Sequence, residues 1–77
     1  METNYREQAE KAVGLTFNPS GDKVVQGTKE DFAQCIAHLM ELRDKAEDGE
    51  VKRMLSIAIT DAQSAQMWAV KAITWSK

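Results

Sequence analysis

The residues best suited to chemistry lie near the start of the chain. Asn18-Pro19-Ser20-Gly21 is a strong turn signal, with Pro fixing φ at its second position and Gly at its fourth. It leads into a helical pattern whose first turn, with unpaired N–H groups and a positive dipole end, is suited to an anion. Lys23 and Lys29 follow within one or two turns. Upstream, Tyr5 offers an aromatic face to a base, and Arg6 offers a guanidinium to a phosphate or for stacking. The set fits a ligand that is both aromatic and anionic. Turns of this kind also open many helices that carry ordinary surface lysines, so a plain helix start remains the commoner reading of the composition.

Other reactive residue types have simpler explanations. His38 shares a polar helix face with Asp31, Gln34, Glu41 and Lys45, and no nucleophile accompanies it, so it reads as a solvated histidine rather than a general base. Cys35 falls on an apolar stripe and reads as a small core residue. Asp61, Gln63 and Ser64 are the polar groups any helix surface carries. Gly-rich phosphate loops, His/carboxylate metal clusters and triad compositions are missing from the sequence. No catalytic residue, metal ligand or cofactor is expected, and the chain does not read as an enzyme.

Composition narrows the class further. At 77 residues the chain makes one domain (1–77) that buries only about 60% of its unfolded surface. One Cys excludes an internal disulfide, and one Cys with one His cannot supply a four-ligand structural metal. Association of copies is then the route to further burial. The lone Cys fits a reducing cytoplasm, and residues 1–7 lack the apolar run of a signal peptide. No segment has the apolar length to span a membrane. Ten basic against twelve acidic residues leave a net charge of −2, without the basic stripe that polymeric nucleic acid requires. A ligand with two or three phosphates needs only a few placed cations, so it remains compatible.

The elements that must position these residues are helical. From Val51 to Trp75 there is neither Gly nor Pro, and Val51, Leu55, Ala58, Ala62, Ala65, Ala69 and Ala72 recur at alternating spacings of four and three. This predicts one long helix with a small-residue groove for a neighbouring helix, flanked by Ile59, Trp68, Val70, Ile73 and Trp75. Before it, Val25, Thr28, Phe32, Cys35, Leu39, Leu42 and Ala46 keep the same rhythm across Gly27, whose interior cost is only about 1 kcal/mol. A helix from about Asp22 to Ala46 results, with a later start at Thr28 as the alternative. The two helices match in length at roughly 37 Å each, which suits an antiparallel hairpin joined through Glu47-Asp48-Gly49-Glu50 with Asp48 as cap. Asn4 to Val13 forms a short first helix with Thr3 as cap and Gly14 as stop. In this hairpin Trp68 lies level with Lys29 and Trp75 level with Asp22, at the open end. The expected fold is all-α: an N-terminal helix and turn (1–21), then a long antiparallel hairpin (22–76), assembled as a homo-oligomer.

Four stretches carry a family resemblance. They are Asn4-Tyr5-Arg6, Gly14-Leu15-Thr16-Phe17-Asn18-Pro19-Ser20-Gly21, Arg53-Met54-Leu55-Ser56-Ile57-Ala58-Ile59-Thr60, and Ala65-Gln66-Met67-Trp68-Ala69-Val70-Lys71-Ala72-Ile73-Thr74. Together they resemble the phage anti-CBASS cyclic-oligonucleotide sponges, whose helical hairpin is shared with phage anti-Thoeris proteins. Met67-Trp68-Ala69-Val70-Lys71 is the most specific part. The resemblance implies a small homohexamer that sequesters the signalling nucleotides of bacterial immunity without cleaving them, in the host bacterial cytoplasm.

It also implies two pockets between subunits. The one for cyclic dinucleotides would use Tyr5 and Lys29, with Arg6, Asn18, Pro19, Ser20 and Lys23 around them; Lys23 and Lys29 could exchange roles. The one for cyclic trinucleotides would use Arg53 and Thr60, two turns apart on one face. The turn at Asn18 to Gly21 is expected to bring Tyr5 and Lys29 toward one opening, with both outside the hairpin core. A reading from a different class also stands: a structural hairpin adaptor that binds another protein through its apolar surface.

Overall fold

The computed structural model describes residues 4–76. They form three helices, α1 (Tyr5–Val13), α2 (Lys23–Lys45) and α3 (Gly49–Ile73). The short first helix is capped by Asn4, whose side chain accepts from the Glu7 N–H at 2.9 Å. Thr3, expected as the cap, lies outside the described residues; Asn4 does the work one position later. At the other end, Gly14 adopts φ 62, and the N–H groups of Gly14 and Leu15 return to the carbonyls of Lys11 (3.1 Å) and Glu10 (2.9 Å). That is the Schellman arrangement, in which the left-handed residue is Gly because a Cβ would be strained there.

The turn at 18–21 closes through a hydrogen bond from the Gly21 N–H to the Asn18 carbonyl at 3.0 Å, with Gly21 at φ 66. Asp22 then caps α2, accepting from Val24 at 2.8 Å and Val25 at 3.2 Å. The early start is therefore the observed one, and Gly27 is carried inside the helix. After Ala46, Glu47 and Asp48 the chain enters α3, with Asp48 accepting from the Glu50 N–H at 2.7 Å. The link is shorter than expected because Gly49 and Glu50 already belong to the helix.

α2 lies between α1 and α3 and packs against both. Side-chain bonds tie the layer together: Arg43 to the Ser56 hydroxyl at 3.2 Å, and Gln63 to the Ala12 carbonyl at 3.4 Å. Being packed from two sides decides which face of α2 is covered. The buried ridge is Val25, Lys29, Ala33, Ile36 and Ala37, one residue round from the stripe expected from hydropathy. Cys35, expected in the core, is exposed, and Leu42 is 43% exposed. Likewise α3 turns Ile59 and Gln66 inward, while Ala65 and Ala72 of the alanine series stand in solvent. Ile59 brings more apolar area to the junction of the three helices than any alanine could, so the bulkier line is the one buried.

The resulting core is small. Ala9, Val13, Ala33, Ile36, Ala37 and Ile59 form it, and Ile36 is its one large side chain that is completely enclosed. Overall extents of 45 × 26 × 13 Å describe a slab one helix layer thick. Much apolar surface is left outside it: Phe17, Met54, Ile57, Met67, Trp68 and Trp75 are all exposed. Among the described residues, no helix is long and apolar enough to cross a membrane.

Candidate functional site

α1 runs antiparallel to α2, and this sets where each candidate residue falls. Its first residue, Tyr5, lies beside the last turn of α2, where the phenol donates to Asp44 Oδ2 at 2.7 Å. Its end, Gly14, lies beside Lys29. Tyr5 and Gly14 are nine residues apart along α1, roughly 13 Å at 1.5 Å per residue, and Tyr5 and Lys29 line different concavities. The expected convergence of Tyr5 and Lys29 on one opening is thus not found within a single chain. The turn does fold α1 back, but it brings the C-terminal end of α1, and not Tyr5, to the first turns of α2.

Two separate concavities follow. The first, about 210 Å³, is lined by Phe17, Asn18, Pro19, Ser20, Val25, Lys29, Val70 and Thr74. Asn18 is fixed there by donating to the Asp22 carbonyl at 2.9 Å and the Gln26 side-chain oxygen at 3.3 Å. Lys29 is only 5% exposed, so the expectation that it lies outside the core does not hold. Its ammonium donates to the carbonyls of Gly14 (2.9 Å) and Phe17, and sits 5.6 Å from the centre of the Phe17 ring. Both carbonyls lie just past the C-terminal end of α1, and these two bonds, beside the negative end of the helix dipole, satisfy the enclosed ammonium without a carboxylate. These bonds commit two of the three ammonium N–H groups.

The helix N-terminus beside this cavity is less available than its sequence suggests. Asp22 already accepts from two of its N–H groups, so the chain supplies its own anion there. Lys23, by contrast, is exposed in the first turn.

The second concavity, about 590 Å³, is lined by Asn4, Tyr5, Arg6, Gln34, Ala37, His38 and Glu41. Arg6 donates to Glu10 Oε2 at 2.7 Å, to the Gln34 side-chain oxygen at 3.3 Å and to the Glu30 carbonyl at 3.4 Å. The guanidinium is therefore oriented but partly neutralised. His38 is exposed, as its polar neighbours imply.

Arg53 and Thr60 share an exposed side of α3, away from both concavities. Arg53 is held by Glu50, with Nε 3.0 Å from Oε2 and a second bond from Nη2 to Oε1. Each partner favours the other's charged form: the carboxyl of Glu50 is held below its ordinary range and the guanidinium of Arg53 is pushed above its own. Thr60 donates to the Ser56 carbonyl at 3.1 Å, leaving its oxygen able to accept. Among the described residues no group of His, Cys, Asp and Glu could hold a metal ion.

Residues 7–74 match the Acb2/Tad1 hairpin domain family. The chain belongs to that family. It is the family of anti-CBASS and anti-Thoeris sponges to which the sequence motifs point, and the match spans all of α2 and α3 and most of α1. Searches of curated proteins and of solved structures give no significant match. Within this Acb2/Tad1 hairpin, the residues that sequence reasoning passed over are partners rather than new chemistry: Asp44 for Tyr5, Glu50 for Arg53, and Phe17, Val70 and Thr74 around Lys29. Only the Glu50–Arg53 pair left a readable signal, an i,i+3 spacing of opposite charges.

Proposed function

We propose that this protein is a phage-encoded sponge that binds cyclic di- and trinucleotide immune signals, holds them without cleavage, and so inhibits CBASS-type defence in the host bacterial cytoplasm. The observation that carries the proposal is membership of the Acb2/Tad1 hairpin family across residues 7–74. Dinucleotides would use Tyr5 and Arg6 from one concavity and Asn18, Pro19, Ser20, Lys23 and Lys29 around the other. Because these groups sit at opposite ends of α1, one site needs Tyr5 from one copy and the Lys29 cavity from another. Binding then depends on assembly, for which a homohexamer is the form the resemblance favours. Arg53 and Thr60 would serve a separate trinucleotide site on the exposed side of α3.

The exposed Trp68 and Trp75, 67% and 75% accessible, favour a second reading: an adaptor that docks another protein. Calorimetric titration of the purified protein against a panel of cyclic di- and trinucleotides separates the two. Saturable heat with the nucleotide recovered intact after extraction supports the sponge. Absence of heat with every nucleotide leaves the adaptor.

A further inference from the structure

The outward side of α3 carries a series at alternating spacings of three and four: Met54, Ile57, Asp61, Ser64, Trp68, Lys71 and Trp75. All are exposed except the half-buried Ser64 at the middle. Near one end, Lys71 stands between the two indoles, its Nζ 5.1 Å from the Trp68 ring and 5.8 Å from the Trp75 ring. Among the described residues neither Asp61 nor Lys71 makes an ion pair. The two indoles alone expose on the order of 300 Å², enough to mark a contact surface.

We propose that this series is a self-complementary seam, on which α3 of a second copy packs antiparallel about a two-fold axis beside Ser64. The register follows from the side chains. Turning the helix end for end about Ser64 sets Trp75 against the partner's Met54, Lys71 against the partner's Ile57, and Trp68 against the partner's Asp61. All of these agree to within one residue. The thioether of Met54 suits an indole edge, and the Asp61 carboxylate can accept the Trp68 N–H. Lys71 leans toward the N-terminal end of its own helix and so toward the same carboxylate, twice over by symmetry. Ser64 is the small residue needed where two backbones come nearest. A parallel pairing would instead set Asp61 on Asp61 and Lys71 on Lys71, and like charges directly opposed are unfavourable. This rests on the assembled form of the sponge and names the face through which two copies meet.

The test reverses the charges. Asp61→Lys puts two lysines in opposition across the seam, and Lys71→Asp puts two carboxylates there. Each variant alone should lower the self-association constant by roughly tenfold or more, read by sedimentation velocity. Mixed in equal amounts the two should recover the wild-type species, because every facing pair is then opposite in sign. In a Cys35→Ser background, Ser64→Cys should form an intermolecular disulfide with itself, whereas Asp61→Cys should not. If the wild type assembles but both charge variants assemble equally well, or mixing restores nothing, or Asp61→Cys cross-links to itself, the seam is overturned while the assembled sponge stands. If the wild type is a stable folded monomer, both fall, and calorimetry on that monomer reports separately on nucleotide binding.

Discussion

The Lys29 ammonium donates to the Gly14 carbonyl at 2.9 Å, joining the end of α1 to the first turns of α2. A residue expected to face a phosphate is thus also a fastener for the loop that forms its cavity. Lys29→Ala should destabilise the protein by about 1–3 kcal/mol, since the nearly buried side chain and its two charge-assisted bonds to the Gly14 and Phe17 carbonyls are lost together. Lys23→Ala, in the exposed first turn, should stay within about 0.5 kcal/mol of wild type. Urea denaturation of the two variants checks this. Loss of dinucleotide binding in Lys29→Ala is informative only at concentrations and temperatures where the variant remains folded, whereas a loss in Lys23→Ala reports on the ligand directly.

Tyr5 has a ring and a hydroxyl, and the structure assigns the hydroxyl to Asp44 at 2.7 Å. Under the proposed function the ring, which packs against the core, is the part that would stack on a base. Tyr5→Phe should therefore keep cyclic dinucleotide affinity within a few-fold, whereas Tyr5→Ala should lose about 1–3 kcal/mol, the usual worth of a stacking aromatic. Calorimetry with one cyclic dinucleotide decides it. Equal losses in both variants would place the hydroxyl, not the ring, on the ligand.

Helix positions and caps were legible in the sequence because they rest on local chemistry: Gly14 stops α1, Asp22 and Asp48 open α2 and α3, and Gly27 is absorbed. Facing was less legible. Which side of α2 is buried depends on α1 and α3 arriving from two directions, and hydropathy alone could not report that Cys35 would be left out and Lys29 enclosed. The candidate site shows the same division. The turn at Asn18 and the cation at Lys29 do share one cavity, but Tyr5 is carried to the far end by the antiparallel course of α1. The direction of a connection of this length is set by packing and not by the residues of the turn.

At the proposed trinucleotide site Glu50 competes with any phosphate for the Arg53 guanidinium. Glu50→Gln should release the guanidinium and strengthen cyclic trinucleotide binding, and Arg53→Ala should weaken it by roughly ten- to a hundred-fold. Dinucleotide binding should barely change in either variant. The pH dependence follows from the depressed carboxyl of Glu50: the pair is complete above the ordinary glutamate value of about 4.3 and breaks only as pH falls through a lower one. Trinucleotide affinity should accordingly be flat from about pH 6 to 8. Calorimetry with one cyclic trinucleotide at several pH values checks both statements, and equal losses for both ligand classes in Arg53→Ala would point to damaged assembly.

Asp22 poses the last question, because its carboxylate occupies the N-terminus of α2 beside the cavity of Asn18, Ser20 and Lys29. A cap needs an acceptor oxygen, and a phosphate is repelled by a negative one. Asn supplies the oxygen without the charge and caps about as well as Asp. Asp22→Asn should therefore leave stability within about 0.5 kcal/mol while raising affinity for cyclic dinucleotides, a gain that shrinks as rising ionic strength screens the charge that was removed. Asp22→Ala removes both functions and should cost about 1 kcal/mol of stability. If Asp22→Asn binds no better than wild type at low salt, the phosphate lies away from this helix start, and Lys23 with Lys29 would have to hold it from the other side of the cavity.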